Sequence, residues 1–153
     1  MNNVQCNNSP IIRIDRSVPL VYPAFVRSVP NADCENLGPV EFDVRNLVQE
    51  YPNGLGIESL VLAQDIFACL EKNKLRERCL GYREALAIRE KPVSFYREYF
   101  AGEAVICWKR DVWSRAGFVH VPFLLELHGE VKLDWFPLEV PRSVVNKLVY
   151  FSE

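Results

Sequence analysis

Cys107, Asp111 and His120 have the side chains of a thiol-dependent hydrolase. A thiol nucleophile needs an imidazole within hydrogen-bond reach, and a carboxylate can orient that imidazole. If a tight turn joins the strands that carry them, Asp111 lies opposite His120, whereas Cys107 pairs with Leu124. That register places the thiol too far from the imidazole unless a bulge intervenes. The spacing favours a surface His–Asp pair, and a small thiol- or histidine-dependent hydrolase is the third functional hypothesis.

A basic segment between Lys72 and Arg97 suggests nucleic-acid binding. It holds eight basic and three acidic residues, a net charge of +5, whereas the whole chain carries −2. The candidate contact residues are Lys74, Arg76, Arg78, Arg83 and Arg89. Aromatic residues within the segment, suited to stacking, are Tyr82, Phe95 and Tyr96. A solvated helix face is the competing interpretation, and the isoelectric point of about 5.8 lies below the range typical of dedicated nucleic-acid binders.

Metal, phosphate and cofactor motifs are not apparent. The two histidines, His120 and His128, stand eight residues apart and form no paired-ligand motif. Asn53-Gly54-Leu55-Gly56 precedes a helical pattern and is more typical of a turn than of a phosphate loop. We therefore expect no metal and no cofactor.

The cysteine pattern and the N-terminus suggest an intracellular setting. Five cysteines without a Cys-x-x-Cys motif favour reduced thiols over a disulfide framework. The first residues lack a basic stretch followed by an apolar one, and no apolar run is long enough to span a bilayer. These features predict a cytoplasmic protein without a membrane partner.

The hydrophobic patterns predict one α+β domain over residues 11–153 behind a flexible tail over 1–10. A helical middle, about 57–101, is expected to pack on a three-stranded antiparallel meander, about 103–136. An N-terminal strand is predicted at about 11–15, followed by a proline-punctuated extended segment that crosses the domain. Residues 40–44 suit a short strand, and a helix through Glu50 is the alternative. Shorter helical pieces are expected at 75–79, 82–90 and 92–102.

The register of the meander follows from the two turns that join its strands. A tight first turn and a three-residue second loop place Trp108, Phe123 and Trp135 in one cross-strand row. The next row then holds Ile106, Leu125 and Leu133. This register predicts one apolar face under the helices and one open, mixed polar face, with Arg110 near the edge and its head in water. The polar-face residues are Lys109, Asp111, His120, Glu126, Lys132 and Asp134.

Several short motifs suggest a resemblance to a group of bacterial proteins. They include Cys79-Leu80-Gly81-Tyr82-Arg83, Ala87-Ile88, Trp108-Lys109, Val121-Pro122 and an Ile-Arg-Ile-Asp-Arg opening at residues 12–16. Over about residues 11–140 the chain resembles a group of small bacterial proteins that has no assigned activity. The resemblance implies one domain with a helical middle and a Trp-bearing β-meander, and it implies no catalytic residues.

The leading functional hypothesis is a non-enzymatic protein–protein interaction domain. An antiparallel sheet can leave one face to a partner, and the candidate contact residues are Trp113, Phe136 and His120. The partner is expected to be another protein, with nucleic acid as the alternative. The patterns leave its identity and the oligomeric state open.

Overall fold

In the part of the chain that the structure describes, three α-helices and eleven strands build an α+β fold. A computed structural model of the protein describes residues 8–52, 61–139, 143–144 and 146–153. The helices are α1 (Ala63–Lys72), α2 (Tyr82–Arg89) and α3 (Val93–Phe100). The strands are β1 (Ile11–Arg13), β2 (Val26–Ser28), β3 (Glu41–Asp43), β4 (Leu47–Glu50), β5 (Val61–Leu62), β6 (Val105–Ile106), β7 (Val112–Ser114), β8 (Val119–Leu127), β9 (Glu130–Pro137), β10 (Ser143–Val144) and β11 (Leu148–Phe151). Short 3-10 turns lie at Ala32–Asn36, Val44–Asn46 and Arg76–Arg78.

The central sheet is antiparallel and is built around β8. Strand β9 pairs along one edge of β8, while β6 and β7 occupy successive parts of the other edge. Strand β2, from the proline-punctuated segment, extends the sheet beyond β7. Three two-stranded pairs, β1–β3, β4–β11 and β5–β10, complete the described strands. The predicted C-terminal meander is therefore present, but its first strand is interrupted at residues 107–111.

The register of this sheet differs from the predicted one by a single residue at both turns. Val112 lies opposite His120, and Phe123 lies opposite Asp134. The β8–β9 turn contains only His128 and Gly129, at φ 52° and 77°, and two positive φ values are typical of a type I′ hairpin turn. Because a one-residue shift turns every side chain to the other face, the predicted Trp108–Phe123–Trp135 row is wrong.

Both faces of the sheet are covered by hydrophobic clusters. On one face, Leu124 packs with residues of α2 and α3, and the partly buried Leu133 packs against the same cluster. Val121 and Phe136 pack on the other face with Trp108 and residues of α1. Helices α2 and α3 thus cover one face of the sheet, and α1 covers the other. The prediction of an open polar face is therefore wrong where these helices pack.

The helices begin and end close to the predicted positions. α2 spans Tyr82–Arg89, and Pro92 precedes the first residue of α3. The left-handed Ala101 and Gly102 end α3, at φ 54° and 69°. α1 begins at Ala63, because residues 61–62 form β5. Residues 57–60 of the predicted helical middle lie outside the described residues.

The N-terminal elements confirm the strand predictions. β1 and β3 form at the two predicted places, and residues 47–50 form β4 in place of the alternative helix. Within the predicted tail, Asn8 contacts α3 through Ser94 Oγ, which donates to Asn8 Oδ1 at 3.0 Å. The anion-binding turn considered at residues 53–56 lies outside the described residues. None of the helices in the described ranges has the length and apolar composition needed to cross a membrane.

Stability should fall at alkaline pH, because Cys79 has no exposed surface and burial raises the pKa of its thiol from 9.0 to about 12. The folded protein keeps this proton more tightly than the unfolded chain, so unfolding releases it above the unfolded pKa. The free energy of unfolding is then expected to drop by about 2 kcal/mol between about pH 9 and pH 11. Urea unfolding of wild type and Cys79→Ala across this range measures the effect.

Burial raises the pKa of Tyr22 to about 12. Tyr22 is present in both proteins, so its titration changes the stability of both equally. The Cys79→Ala protein should lose stability less steeply with rising pH. Equal slopes for the two proteins would contradict the assignment to Cys79.

Candidate functional site

The first turn of α2 is capped by a carboxylate from a distant part of the chain. Glu35 is fully buried, and its carboxylate accepts hydrogen bonds from the backbone N–H groups of Tyr82 at 2.8 Å and Arg83 at 3.3 Å. A negative charge at a helix N-terminus meets unpaired N–H groups and the positive end of the helix dipole. The preceding residue must be small, because a Cβ at Gly81 would lie 2.8 Å from Glu35 Oε1.

Three buried arginines surround this cap. Arg110 donates from Nε to Glu35 Oε1 at 3.2 Å, and Arg83 donates from Nε to the Glu35 backbone oxygen at 3.0 Å. Arg16 pairs with buried Glu84 at 3.2 Å. This network fixes α2 against the N-terminal segment and against the interruption between β6 and β7.

Arg110 corrects the prediction that its head lies in water. Its side chain is fully buried, and Nη1 and Nη2 donate to the backbone oxygens of Pro30 at 2.9 Å and Asn31 at 3.1 Å. Nη2 also donates to Cys34 Sγ. The guanidinium can be buried because each of its three nitrogens donates to a protein acceptor.

The predicted catalytic residues have separate surroundings. Cys107 is fully buried, and desolvation raises the pKa of its thiol well above 9.0. Asp111 is paired with Arg76. His120 Nδ1 lies 3.3 Å from the Phe118 oxygen, and its ring packs against Phe25 at a centroid distance of 5.1 Å. No hydrogen bond joins the three in the described structure, so the geometry gives no support to the hydrolase hypothesis.

Most of the predicted nucleic-acid contacts have partners within the protein. Arg76 donates to the backbone oxygens of Trp108 and Lys109, and Arg78 donates to that of Phe151. Arg83 is buried, whereas Lys74 and Arg89 are exposed. The aromatic residues expected to stack on bases, Tyr82, Phe95 and Tyr96, are all buried. This arrangement suits structural roles for the segment better than a phosphate-binding surface.

The predicted interaction residues do not share one exposed surface. Trp113 is 41% exposed, whereas Phe136 is 7% exposed and packs edge-on against Trp108 at 6.1 Å between ring centroids. The expectation of an accessible Phe136 is therefore wrong, because the register turns it into the core. His120 is half-buried between the sheet and the N-terminal segment.

An apolar groove lies between residues 13–21 and α2. We call this the α2 groove; it has a volume of about 440 Å³. Its lining includes Val18, Val21, Leu86 and Ala87, with Arg13 and Arg89 also contributing. The sequence patterns did not single out the two valines, although the prolines around them predicted an extended crossing segment.

A second concave region is lined mainly by charged side chains. We call this the charged cavity; it has a volume of about 410 Å³ and shares no lining residue with the α2 groove. The four basic residues in its lining are Lys74, Arg76, Lys109 and Arg110. Half-buried Cys34 also lines it. The sequence gives no signal for the charged cavity, because its lining residues form no motif.

The described residues hold no cluster of three or more His, Cys, Asp or Glu side chains arranged to bind a metal ion.

Comparisons with known proteins provide no functional assignment. The chain matches no family model, and comparison with curated proteins and with solved structures gives no significant match.

Proposed function

We propose that the domain binds an extended segment of another protein in the α2 groove. The observation that carries this proposal is the exposure of two valines beside a concave apolar surface: Val18 is 52% exposed and Val21 is 81% exposed. Exposed apolar side chains that line a groove provide area for a partner to bury. The proposal retains the leading sequence hypothesis of a non-enzymatic interaction domain, but the contact surface is the α2 groove instead of the predicted one.

The charges around the groove favour a partner with a carboxylate near its apolar residues. Arg89 is exposed and makes no ion pair with a described residue. Arg13 pairs with Glu41, but its side chain remains 82% exposed. The lining carboxylate of Asp15 accepts hydrogen bonds from Ser17. Basic groups therefore predominate, which gives electrostatic complementarity to an acidic-apolar segment.

The walls of the groove are fixed before any partner arrives. Tyr82 Oη donates to the Val21 backbone oxygen at 2.9 Å, and Arg83 Nη1 donates to the Asp15 oxygen at 3.3 Å. Both donors belong to α2, whose first turn is capped by Glu35. A preformed groove loses less conformational entropy on binding than one that must be ordered by its ligand.

A displayed library of random peptides, selected on the wild-type domain, tests the proposal. Selected peptides should combine apolar residues with Asp or Glu. The double substitution Val18→Asp with Val21→Asp should weaken their binding at least about tenfold, because charges replace the apolar contact surface. Fluorescence anisotropy of labelled peptides measures the affinity.

The matched control is Leu37→Asp with Val40→Asp, which changes two residues that are 69% and 64% exposed outside the groove lining. Its affinity should stay within about twofold of wild type, apart from general charge effects. Equal loss in the two double variants, or a library that yields no binder, would contradict the proposed site. Arg89→Gln should selectively weaken the peptides that carry acids.

A further inference from the structure

The charged cavity contains a half-buried thiol in contact with a buried cation. Arg110 Nη2 donates to Cys34 Sγ, and both residues line the cavity. The hydrogen bond places a guanidinium against the sulfur, and the thiolate is the form of a cysteine that attacks a disulfide. Cavity space beside the sulfur gives a small reactant room to approach it.

The remaining charged groups in the lining indicate what kind of reactant fits. Lys74 is exposed and has no ion pair with a described residue. Lys109 Nζ donates one hydrogen bond to the Leu37 oxygen at 3.0 Å. These ammonium groups can receive carboxylates. Glu71 and Asp111 are paired with Arg76, whereas exposed Glu77 makes no ion pair with a described residue and can receive an ammonium group.

The other cysteines in the described ranges lack this combination. Cys79 and Cys107 are fully buried. Cys69 is half-buried on α1, where Asn73 Nδ2 donates to its sulfur at 3.2 Å. It does not line the charged cavity, so it provides a control of similar exposure.

We propose that the charged cavity binds a small amino-acid or peptide disulfide and that Cys34 forms a mixed disulfide with it. The Cys34 thiolate attacks one sulfur of the bound disulfide. A new S–S bond forms at Cys34 as the original S–S bond breaks, and the departing thiolate takes the electron pair and then a proton from water. Cys34 is oxidised and the released half is reduced, so the disulfide itself is the oxidant.

The first test uses glutathione disulfide, which carries both carboxylates and ammonium groups, on the folded protein. Mass spectrometry of proteolytic fragments follows each cysteine with time and separates Cys6 from the others. Cys34 should be modified about tenfold faster than Cys69. Cys34→Ser should remove the fast reaction, while Cys69→Ser should leave it intact. Modification of Cys34 no faster than Cys69, or only in urea, would overturn the proposal.

A second test separates recognition in the cavity from simple exposure of the thiol. Lys74→Gln with Lys109→Gln should slow the reaction of Cys34 with glutathione disulfide severalfold, because the carboxylates lose their partners. The rate with uncharged methyl methanethiosulfonate should stay within about twofold of wild type. Equal slowing with both reagents, or slowing with neither, would exclude recognition by these lysines. Circular dichroism of each variant checks that the fold is retained.

Discussion

Glu35→Ala is expected to lower the free energy of unfolding by about 3–5 kcal/mol, the cost typical of breaking a buried ion pair. The substitution leaves the Arg110 guanidinium without its carboxylate partner in the interior. It also removes the acceptor for the first two N–H groups of α2. Urea unfolding followed by tryptophan fluorescence measures the loss.

The matched control is Asp33→Ala, in the same 3-10 turn but on an exposed side chain. It should change stability by no more than about 0.5 kcal/mol. Glu35→Gln should fall between the two, because an amide oxygen still accepts a hydrogen bond but carries no charge. Similar stabilities for Glu35→Ala and Asp33→Ala would show that the network contributes little to folding.

Trp108→Ala should cost about 3–5 kcal/mol, because a large buried side chain leaves a cavity that its neighbours cannot fill. Trp108 has no exposed surface and lies in the cluster between the sheet and α1. The change also removes its edge contact with Phe136. Thermal or urea unfolding measures the loss.

Trp113→Ala provides the comparison, since the same side chain is removed from a position that is 41% exposed. Its cost should be well under half that of Trp108→Ala. Equal losses at the two tryptophans would contradict the division between core and surface in this sheet.

The secondary structure was more accessible from the sequence than the register. Apolar periodicity predicted α2 and the long strands β8 and β9, because their buried residues recur at helix and strand spacing. One of the two register errors lay at His128-Gly129, where a histidine occupies a left-handed position that Asn or Gly usually occupies. The sequence therefore predicts a three-residue loop where a two-residue turn forms, and it pairs the residues of β8 and β9 one position out of register.

The buried network could not be predicted from local patterns. Glu35 and Arg110 are 75 residues apart in the sequence, and charged residues are rarely fully buried. Their burial depends on a carboxylate, two backbone amides and several carbonyl oxygens meeting at one place. For the same reason, the charge pattern predicts a surface cation at Arg83, whereas its guanidinium helps to hold the N-terminal segment.

The α2 groove was partly accessible from the sequence. Prolines predicted an extended crossing segment, and Leu20, Tyr22 and Phe25 within it are half-buried. Tyr22 and Phe25 pack against Trp135 at centroid distances of 6.4 and 6.0 Å. The exposure of the neighbouring Val18 and Val21 depends on where that segment crosses α2, which requires the tertiary fold.

The pairing of β4 with β11 has a consequence for synthesis on the ribosome. The partner of Leu47 is Phe151, so β4 emerges long before β11 has been translated. During that interval its backbone edge and the apolar Leu47 and Val48 lack the cover that β11 gives them, and an open strand edge can pair with another chain. The N-terminal half of this protein is thus expected to depend on chaperone protection until translation reaches β11.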